Sequence, residues 1–312
     1  MKRSFTRLFS GVNQRWIHYR SNQRWQALSS AIVRQVPTKK DVRPVIFFNA
    51  STRLQAMSQN AAYSLLGALA VRMQGIPVIQ FVCKRGLERC VLGSDRDDFE
   101  HLPPCSRCIA QSQSVFKNLK TRWFEQRAYP ELKNQLQKLS VVELGDFVHN
   151  GVPLGAWAVN SFRWVLRRYT LEEDQLTLNF LRSFILSAWN VYTQVSTILA
   201  LENPQAVVVF NGLFFPEAAV RYACLKQRVY VVTHEVGLNP YSAFFTKGEA
   251  TAYPMDIDPA FQLTPEMDHR LDEYLSSRFN GDFSMAGIRF WPQMQRLDEA
   301  FLTKAKNFKK IV

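Results

Sequence analysis

Two strand–helix–strand patterns constrain the fold of this chain more than any other feature of its sequence. In the first pattern, short apolar segments at 44–49 and 77–82 flank residues 53–73, whose apolar positions follow helical spacing and end at Gly75. Because a helix between two strands brings the chain back in the same direction, the strands are expected to pair in parallel. Continuously apolar strands are typical of a sheet that helices cover on both faces.

The second pattern repeats this arrangement, with apolar segments at 206–210 and 229–233 around a helix predicted over 216–226. Further elements predicted from periodicity are helices near 111–139, 172–201 and 291–305 and a strand at 141–144. Together the two patterns predict an α/β fold, with a Rossmann-like parallel sheet flanked by helices.

Positive charge is concentrated at the N-terminus. Residues 1–40 contain nine of the 39 Lys and Arg residues and no Asp or Glu, whereas the remaining 272 residues carry 30 basic and 26 acidic side chains. The body is therefore nearly balanced in charge, which argues against a nucleic-acid groove, and no nucleic-acid partner is expected. We interpret residues 1–40 as a basic helical arm that precedes a Rossmann-like domain over 41–306.

The arm carries apolar residues at helical spacing opposite its Arg residues. Phe5, Phe9 and Trp16 illustrate this spacing. A helix with aromatic residues on one face and Arg on the other fits the surface of an anionic membrane, which residues 1–36 would contact. The same pattern fits a helix packed on the domain with its Arg residues in solvent. An acid-free start rich in Arg and Ser is also a feature of organellar transit peptides.

The rest of the sequence indicates a cytoplasmic protein, peripheral at the inner face of the plasma membrane. The N-terminus lacks the apolar segment and small-residue cleavage site of a signal peptide. Uninterrupted apolar runs fall short of the ~18–20 residues that a membrane span needs. Five cysteines in 312 residues do not indicate the disulfide scaffold of a small secreted domain.

Four of the cysteines form a cluster in a predicted insertion at 83–108, with the spacing Cys-x6-Cys-x14-Cys-x2-Cys. Two thiolates at Cys-x2-Cys spacing can ligate one tetrahedral zinc ion, and nearby Arg side chains favour thiolates. We therefore predict a zinc site, with unligated or redox-active thiols as the alternative. Its ligands would be Cys83, Cys90, Cys105 and Cys108.

Polar residues and glycines follow three of the predicted strands, and in open α/β sheets ligands bind outside the carboxyl ends of the strands. The predicted substrate-binding residues at these ends are Asn49, Asn211, Gly212 and Gly237. His234 is predicted to be a catalytic base that deprotonates a sugar hydroxyl, and Glu235 to orient it or bind hydroxyls. A structural hydrogen-bonding role for this pair is the alternative.

A glycine-rich turn at 151–155 precedes a segment that carries Arg163, which is predicted to bind a phosphate-linked acceptor. A solvated helix face is the alternative for this segment. The sequence contains no Walker glycine loop, GxGxxG or HExxH, so the commonest NTPase, dehydrogenase and metalloprotease motifs are absent.

As a set, several of these segments resemble capsular and O-antigen polysaccharide biosynthesis proteins of the GT-B glycosyltransferase type. They are the four-Cys segment 83–108, GVPLG at 151–155, VVVFNG at 207–212, VVTHEVG at 231–237, RFWPQM at 289–294 and FKKIV at 308–312. The resemblance covers residues 44–312 and implies a Rossmann-like acceptor half. It places Asn211, Gly212, His234, Glu235 and Gly237 in the cleft, and it implies a second half that binds a nucleotide-sugar donor.

Residues 307–312 resemble the opening of that donor-binding half. The resemblance therefore implies a glycosyltransferase of surface polysaccharide synthesis that is truncated before its second half, with this chain alone inactive. Its partner would be a sugar or a lipid-linked sugar acceptor. The alternative is a non-catalytic carbohydrate- or partner-binding module with a structural four-Cys metal site.

Overall fold

A computed structural model of the chain describes residues 2–50, 57–238, 241–253 and 257–279, together with 299, 300 and 303. The helices are α1 (Lys2–Gln35), α2 (Gln59–Met73), α3 (Cys105–Val115), α4 (Pro130–Leu136), α5 (Val141–Gly145), α6 (Leu154–Leu166), α7 (Gln175–Glu202), α8 (Phe215–Lys226) and α9 (Pro265–Phe279), with a 3-10 helix at Ala250–Ala252. The strands are β1 (Val45–Asn49), β2 (Val78–Cys83), β3 (Lys120–Phe124), β4 (Ala206–Phe210), β5 (Tyr230–Val236) and β6 (Ala243–Thr246).

The strands form one sheet in the order β3-β2-β1-β4-β5-β6, and the pairs from β3 to β5 are parallel. This arrangement confirms the predicted α/β, Rossmann-like fold. The chain runs outward from β1 through β2 to β3 and then returns to β4 on the other side of β1. The order therefore reverses between β1 and β4, and such a switch point is where open α/β sheets bind ligands.

The switch point is open at the carboxyl ends of its two strands. β1 pairs with β2 over five residues, but it pairs with β4 over only three, Val45–Phe47 against Ala206–Val208. Pairing therefore stops two residues before β1 and β4 end, which leaves their last residues unpaired with each other. The strand order therefore places the last residues of β1 and β4 where open α/β sheets bind ligands.

Helix α7 forms the centre of the larger hydrophobic core, where its aromatic residues Phe180 and Phe184 are fully buried. Its start is capped by Asp174, whose carboxylate accepts a hydrogen bond from the amide of Thr177 at 2.6 Å. Helix α7 is also long and apolar enough to cross a membrane by length and composition, but 61% of its most apolar window is buried inside the protein. This burial is what a core helix of a folded domain shows.

Three predicted elements differ from the structure. Residues 141–144 form helix α5 and not a strand, because Ser140 and Glu143 make a reciprocal capping box at its start. Residues 120–124, within a stretch predicted to be helical, form the edge strand β3, whose side chains are partly exposed. Strand β5 continues to Val236 instead of ending at residue 233, and its pairing with β4 extends to the Phe210–His234 pair.

The C-terminal half of helix α1 packs on the domain, as one of the interpretations of the arm predicts. Ser29 and Ile32 are buried, and Gln26 donates a hydrogen bond to the carbonyl of Ser114 at 2.8 Å. Further towards the N-terminus, Trp16 and Ile17 are 55% and 51% exposed. The helix is thus anchored at one end and presents apolar residues at the other.

The chain divides into two compact units, the first comprising residues 1–235 and 245–254 and the second residues 236–244 and 255–312. The first unit contains strands β1–β4, most of β5 and the hydrophobic cores. In the second unit, α9 is exposed along most of its length. The predicted boundary at 306/307 and most of the predicted helix over 291–305 lie outside the described residues.

Gly155 provides a direct test of how tightly α5 and α6 pack. A Cβ at this position would lie 2.3 Å from the carbonyl oxygen of Leu144 and 2.5 Å from that of Gly145. Because these are backbone atoms, we expect Gly155→Ala to lower the free energy of unfolding by roughly 1–3 kcal/mol, the usual cost of overpacking. Urea denaturation would measure this loss in the free energy of unfolding. Gly145→Ala is the matched control, since its Cβ would only reach ordinary contact with Val159 at 3.6 Å, and equal losses in both variants would contradict the prediction.

Candidate functional site

The turn after β4 is held by the backbone of Asn211. This residue has a positive φ of 60°, a conformation that Asn adopts more readily than most residues. Its amide donates a hydrogen bond to the carbonyl of His234 at 2.8 Å, and its carbonyl accepts one from Ala250 at 2.9 Å. Asn211 therefore ties the end of β4 both to β5 and to the 3-10 helix.

The side chain of Asn211 fixes Glu235. Its Nδ2 donates a hydrogen bond to Oε2 of Glu235 at 3.1 Å, while its Oδ1 accepts one from the amide of Leu213 at 2.9 Å. Asn211 and Glu235 are 4% and 9% exposed. The structure thus brings together two of the residues predicted for the cleft, through a direct contact.

Gly212 is required by the packing around it. Its φ is +86°, and a Cβ would lie 2.9 Å from both Thr233 and Arg221. Arg221 donates a hydrogen bond to the carbonyl of Gly212 at 2.8 Å and forms an ion pair with Glu249 at 3.2 Å. The close approach at Gly212 is therefore made by protein atoms, and its predicted contact with substrate stays a prediction.

His234 and Glu235 lie within β5, and this corrects the expectation that they follow the strand. Consecutive strand residues point to opposite faces of a sheet, so Glu235 cannot orient the His234 imidazole directly. His234 is 1% exposed, with its ring 5.8 Å from that of Phe210 and 5.4 Å from that of Phe245. Its predicted role as a base stays a prediction.

The environment of His234 keeps its imidazole neutral. Burial among apolar rings lowers its pKa to about 4, and its Nδ1 has no hydrogen-bond partner among the described residues. A base with a pKa this low accepts a proton weakly at neutral pH. In this conformation the imidazole is therefore poorly suited to abstract a proton.

Glu217 is a member of this site that the sequence analysis did not select. It lies in the first turn of α8 and is 6% exposed. Burial raises the pKa of its carboxyl to about 8, and the nearby negative charge of Glu235 raises it further against the effect of a backbone amide hydrogen bond. Glu217 is therefore protonated at neutral pH. The signal in the sequence was an acidic residue directly after Pro216, which is also ordinary for the start of a helix.

Asn49 lies at the switch point but is directed towards β2. Its Nδ2 donates a hydrogen bond to Oε1 of Gln80 at 2.8 Å, and its Oδ1 accepts one from Ser64 at 3.4 Å. Both Asn49 and Gln80 are buried. The structure therefore gives Asn49 a role in fixing the carboxyl ends of β1 and β2, while a contact with substrate is untested.

Arg163 and Gly237 make contacts of their own that do not include Asn211 or Glu235. Arg163 is in the last turn of α6, where its Nε donates a hydrogen bond to the backbone carbonyl of Tyr169 at 2.9 Å. Its guanidinium lies 4.2 Å from the centre of the Tyr169 ring. Arg163 lies about two helical turns after Gly155, the last residue of the glycine-rich turn. Gly237 belongs to the second unit, where its amide donates to the carbonyl of Ser242 at 2.8 Å.

The four predicted zinc ligands meet at one cavity of about 40 Å³. Cys83 comes from the carboxyl end of β2, Cys90 from the following loop, and Cys105 and Cys108 from the first turn of α3. Burial raises the pKa of the Cys83 and Cys90 thiols, that of Cys90 to about 12. Within the described part of the chain, no three His, Cys, Asp or Glu side chains are already arranged as a metal-ligand set.

A larger cavity of about 460 Å³ lies beyond the carboxyl end of β3. Its walls include Glu88, Gln126, Tyr129, Lys133 and Asn190. Burial raises the pKa of Glu88, although the positive charge of Lys133 acts in the opposite direction. The cavity has the volume of a small-molecule site and combines an aromatic ring with hydrogen-bonding groups, as saccharide binding requires.

No protein-family model and no curated protein matches the chain. The evidence for function therefore rests on the geometry of the carboxyl edge of the sheet.

Proposed function

We propose that this chain is the Rossmann-like, acceptor-binding half of a glycosyltransferase of bacterial surface-polysaccharide synthesis. The observation that carries the proposal is the buried hydrogen bond of 3.1 Å between Asn211 and Glu235 at the carboxyl ends of β4 and β5, with the buried Glu217 near enough for the charge of Glu235 to raise its pKa. A buried carboxyl group with a raised pKa near a second carboxyl group is a recurrent arrangement for acid–base chemistry. The open switch point between β1 and β4 supports ligand binding at the same edge.

Each group has a distinct part in the proposed reaction. Glycosyl transfer to a hydroxyl group requires removal of its proton as the new bond forms. The Glu235 carboxylate, held by Asn211, is the base in this proposal. The protonated Glu217 donates a hydrogen bond to the acceptor or to Glu235. His234, predicted from the sequence as the base, becomes the alternative because its imidazole is buried and weakly basic.

The acceptor in this proposal is a sugar or a lipid-linked sugar, and the cavity around Tyr129 and Glu88 is a second place for its saccharide units. The donor is a nucleotide-sugar, bound by a second half that the resemblance implies. We place the protein in the cytoplasm, where nucleotide-sugars are available, and at the inner face of the plasma membrane.

The proposal is tested by saccharide binding and by transfer. The purified full-length protein is incubated with labelled nucleotide-sugars and lipid-linked acceptors extracted from capsule-producing bacteria, and saccharide binding is measured in parallel. Transfer that requires both donor and acceptor would support the proposal. Saccharide binding without transfer by the full-length protein would favour the non-catalytic binding module, and a folded protein that does neither would contradict both functions.

Membrane attachment is proposed for the exposed end of α1. The residues around a shallow depression on this helix combine apolar rings with Arg20 and Arg24, and Arg20 lies 4.6 Å above the Trp16 ring. Acidic residues are absent from 1–40. A surface of this composition fits the headgroup region of an anionic membrane, where Trp is enriched.

We expect the double variant Trp16→Ala, Ile17→Ala to weaken binding to phosphatidylglycerol-containing vesicles by roughly 10-fold or more, since each large apolar side chain contributes about 1.5–3 kcal/mol on burial. Vesicle co-sedimentation at low and high salt would measure this, and salt should weaken binding by the native chain. Leu225→Ala is the control, since Leu225 is 71% exposed on α8. Equal binding by the native chain and the double variant would exclude α1 as the contact.

A further inference from the structure

The four cysteines of the 83–108 segment converge although they belong to different elements. They come from the end of β2, an irregular loop and the start of α3, and all four line the same cavity of about 40 Å³. A cavity of this size has room for a single ion or a few water molecules. The fifth cysteine, Cys224, is buried separately in α8. The path of the chain therefore places four thiols beside one cavity, although they belong to three separate elements.

Two of the thiols already accept backbone hydrogen bonds of the kind that support thiolate ligands. The amide of Gly86 donates to Sγ of Cys83 at 3.3 Å, and that of Gly93 donates to Sγ of Cys90 at 3.1 Å. Each glycine stands three residues after its cysteine, so the chain repeats one Cys-x2-Gly turn. Hydrogen bonds to ligand sulfurs orient them and offset their charge.

The same turns depend on glycine for space. A Cβ at Gly93 would lie 2.7 Å from Sγ of Cys90, and one at Gly86 would lie 2.2 Å from the ring of Phe124. The turn at Gly93 therefore leaves no room for a side chain beside the sulfur of Cys90, and the turn at Gly86 leaves none beside Phe124.

The remaining walls of the cavity determine which ligand fits. Apart from the cysteines, its lining consists of apolar residues, glycine, proline and Arg85, with no carboxylate among the lining residues. A hard cation that prefers oxygen ligands would find none here, whereas thiolates select soft or borderline cations. Four thiolates with tetrahedral geometry are the ligand set of a structural zinc site.

We propose that Cys83, Cys90, Cys105 and Cys108 bind one Zn²⁺ ion, which ties the loop after β2 to the start of α3. The ion replaces four thiol protons, which pass to solvent, and the sulfurs remain in the reduced state. The described side chains are not yet at ligand positions, so binding requires the four sulfurs to move closer together within the cavity that they line. Neutral thiols have no mutual attraction that would hold them in the closed arrangement without the ion.

Metal analysis of the purified full chain tests this site. We expect about one zinc per chain in the native protein and less than a tenth of that in the double variant Cys105→Ser, Cys108→Ser. Cys224→Ser is the matched control and should retain the native zinc content. Substitution with Co²⁺ should give the absorption bands of a tetrahedral thiolate complex. Iron with acid-labile sulfide in place of zinc, or equal metal loss in the Cys224→Ser control, would overturn the proposal.

A second measurement covers the case in which the double variant fails to fold. The native chain is treated with an alkylating reagent with and without a chelator, and labelled cysteines are identified by mass spectrometry. We expect the four clustered cysteines to be protected until zinc is removed, while Cys224 is insensitive to the chelator. Labelling of the four cysteines at the same rate in both conditions would overturn the zinc site.

Discussion

Replacing Glu217 by Gln is expected to stabilise the protein at pH 8 while leaving its stability near pH 4.5 almost unchanged. The pKa of Glu217 rises from 4.5 to about 8 on folding, chiefly because its carboxyl is buried. Between these values the folded chain keeps a proton that the unfolded chain loses. Stability therefore falls as pH rises, by about 1.4 kcal/mol per pH unit. Gln is neutral at every pH, so the variant lacks this decline.

Urea denaturation of both proteins at several pH values between 4.5 and 8 would measure the effect. The informative quantity is the difference in the free energy of unfolding between the variant and the native chain. His234 is present in both proteins and makes their stability change with pH in the opposite direction. Its pKa is lowered from 6.5 to about 4, so between those values the unfolded chain binds the extra proton and stability rises with pH. The exposed Glu143→Gln is the control and should give a difference that is constant over pH 5–8. Parallel curves for Glu217→Gln and the native chain would contradict the burial of a protonated carboxyl.

The second large effect concerns turnover and rests on the proposed function. In the full-length enzyme we expect Glu235→Gln to lower kcat by ~100-fold or more, which is the usual contribution of a general base. Gln keeps the size of the side chain and can still contact Asn211, but it cannot accept the proton. We expect His234→Ala to lower kcat by less than about 10-fold, because the buried imidazole has little access to substrate.

Steady-state kinetics on folded variants would separate the two candidate bases. Glu172→Gln is the control, since Glu172 is exposed and pairs with Arg168 away from the site. A loss of ~100-fold in His234→Ala with near-native turnover in Glu235→Gln would restore the assignment made from sequence. Full activity in both variants would show that neither Glu235 nor His234 takes part in the reaction.

Some elements that the sequence analysis missed carried local signals, and others did not. Helix α5 could have been predicted from Ser140 and Glu143, whose spacing is that of a capping box. Strand β3, by contrast, reads Lys-Thr-Arg-Trp-Phe and is partly exposed because it lies at the edge of the sheet. An edge strand needs fewer apolar residues than a central one, so its periodicity is weak.

The sequence by itself determined the parallel α/β architecture and the grouping of four cysteines, because both depend on patterns within short segments. A continuously apolar run indicates a strand that is covered on both faces. The Cys-x2-Cys spacing places two thiols on one helical turn. Only the tertiary structure decided that β5 continues past residue 233, since His234 is paired across the sheet with Phe210 of β4.

The tertiary structure also decided which groups form the candidate site. Glu217 comes near the charge of Glu235 because α8 connects β4 to the neighbouring strand β5, and its raised pKa follows from burial that no local sequence pattern indicates. Conversely, His234 is buried because the rings of Phe210 and Phe245 lie against it. Residue type and position along a strand therefore predicted which polar residues lie near the carboxyl edge of the sheet. The contacts made across the sheet determined the protonation state and exposure of each group there, because solvation depends on neighbours that are distant in sequence.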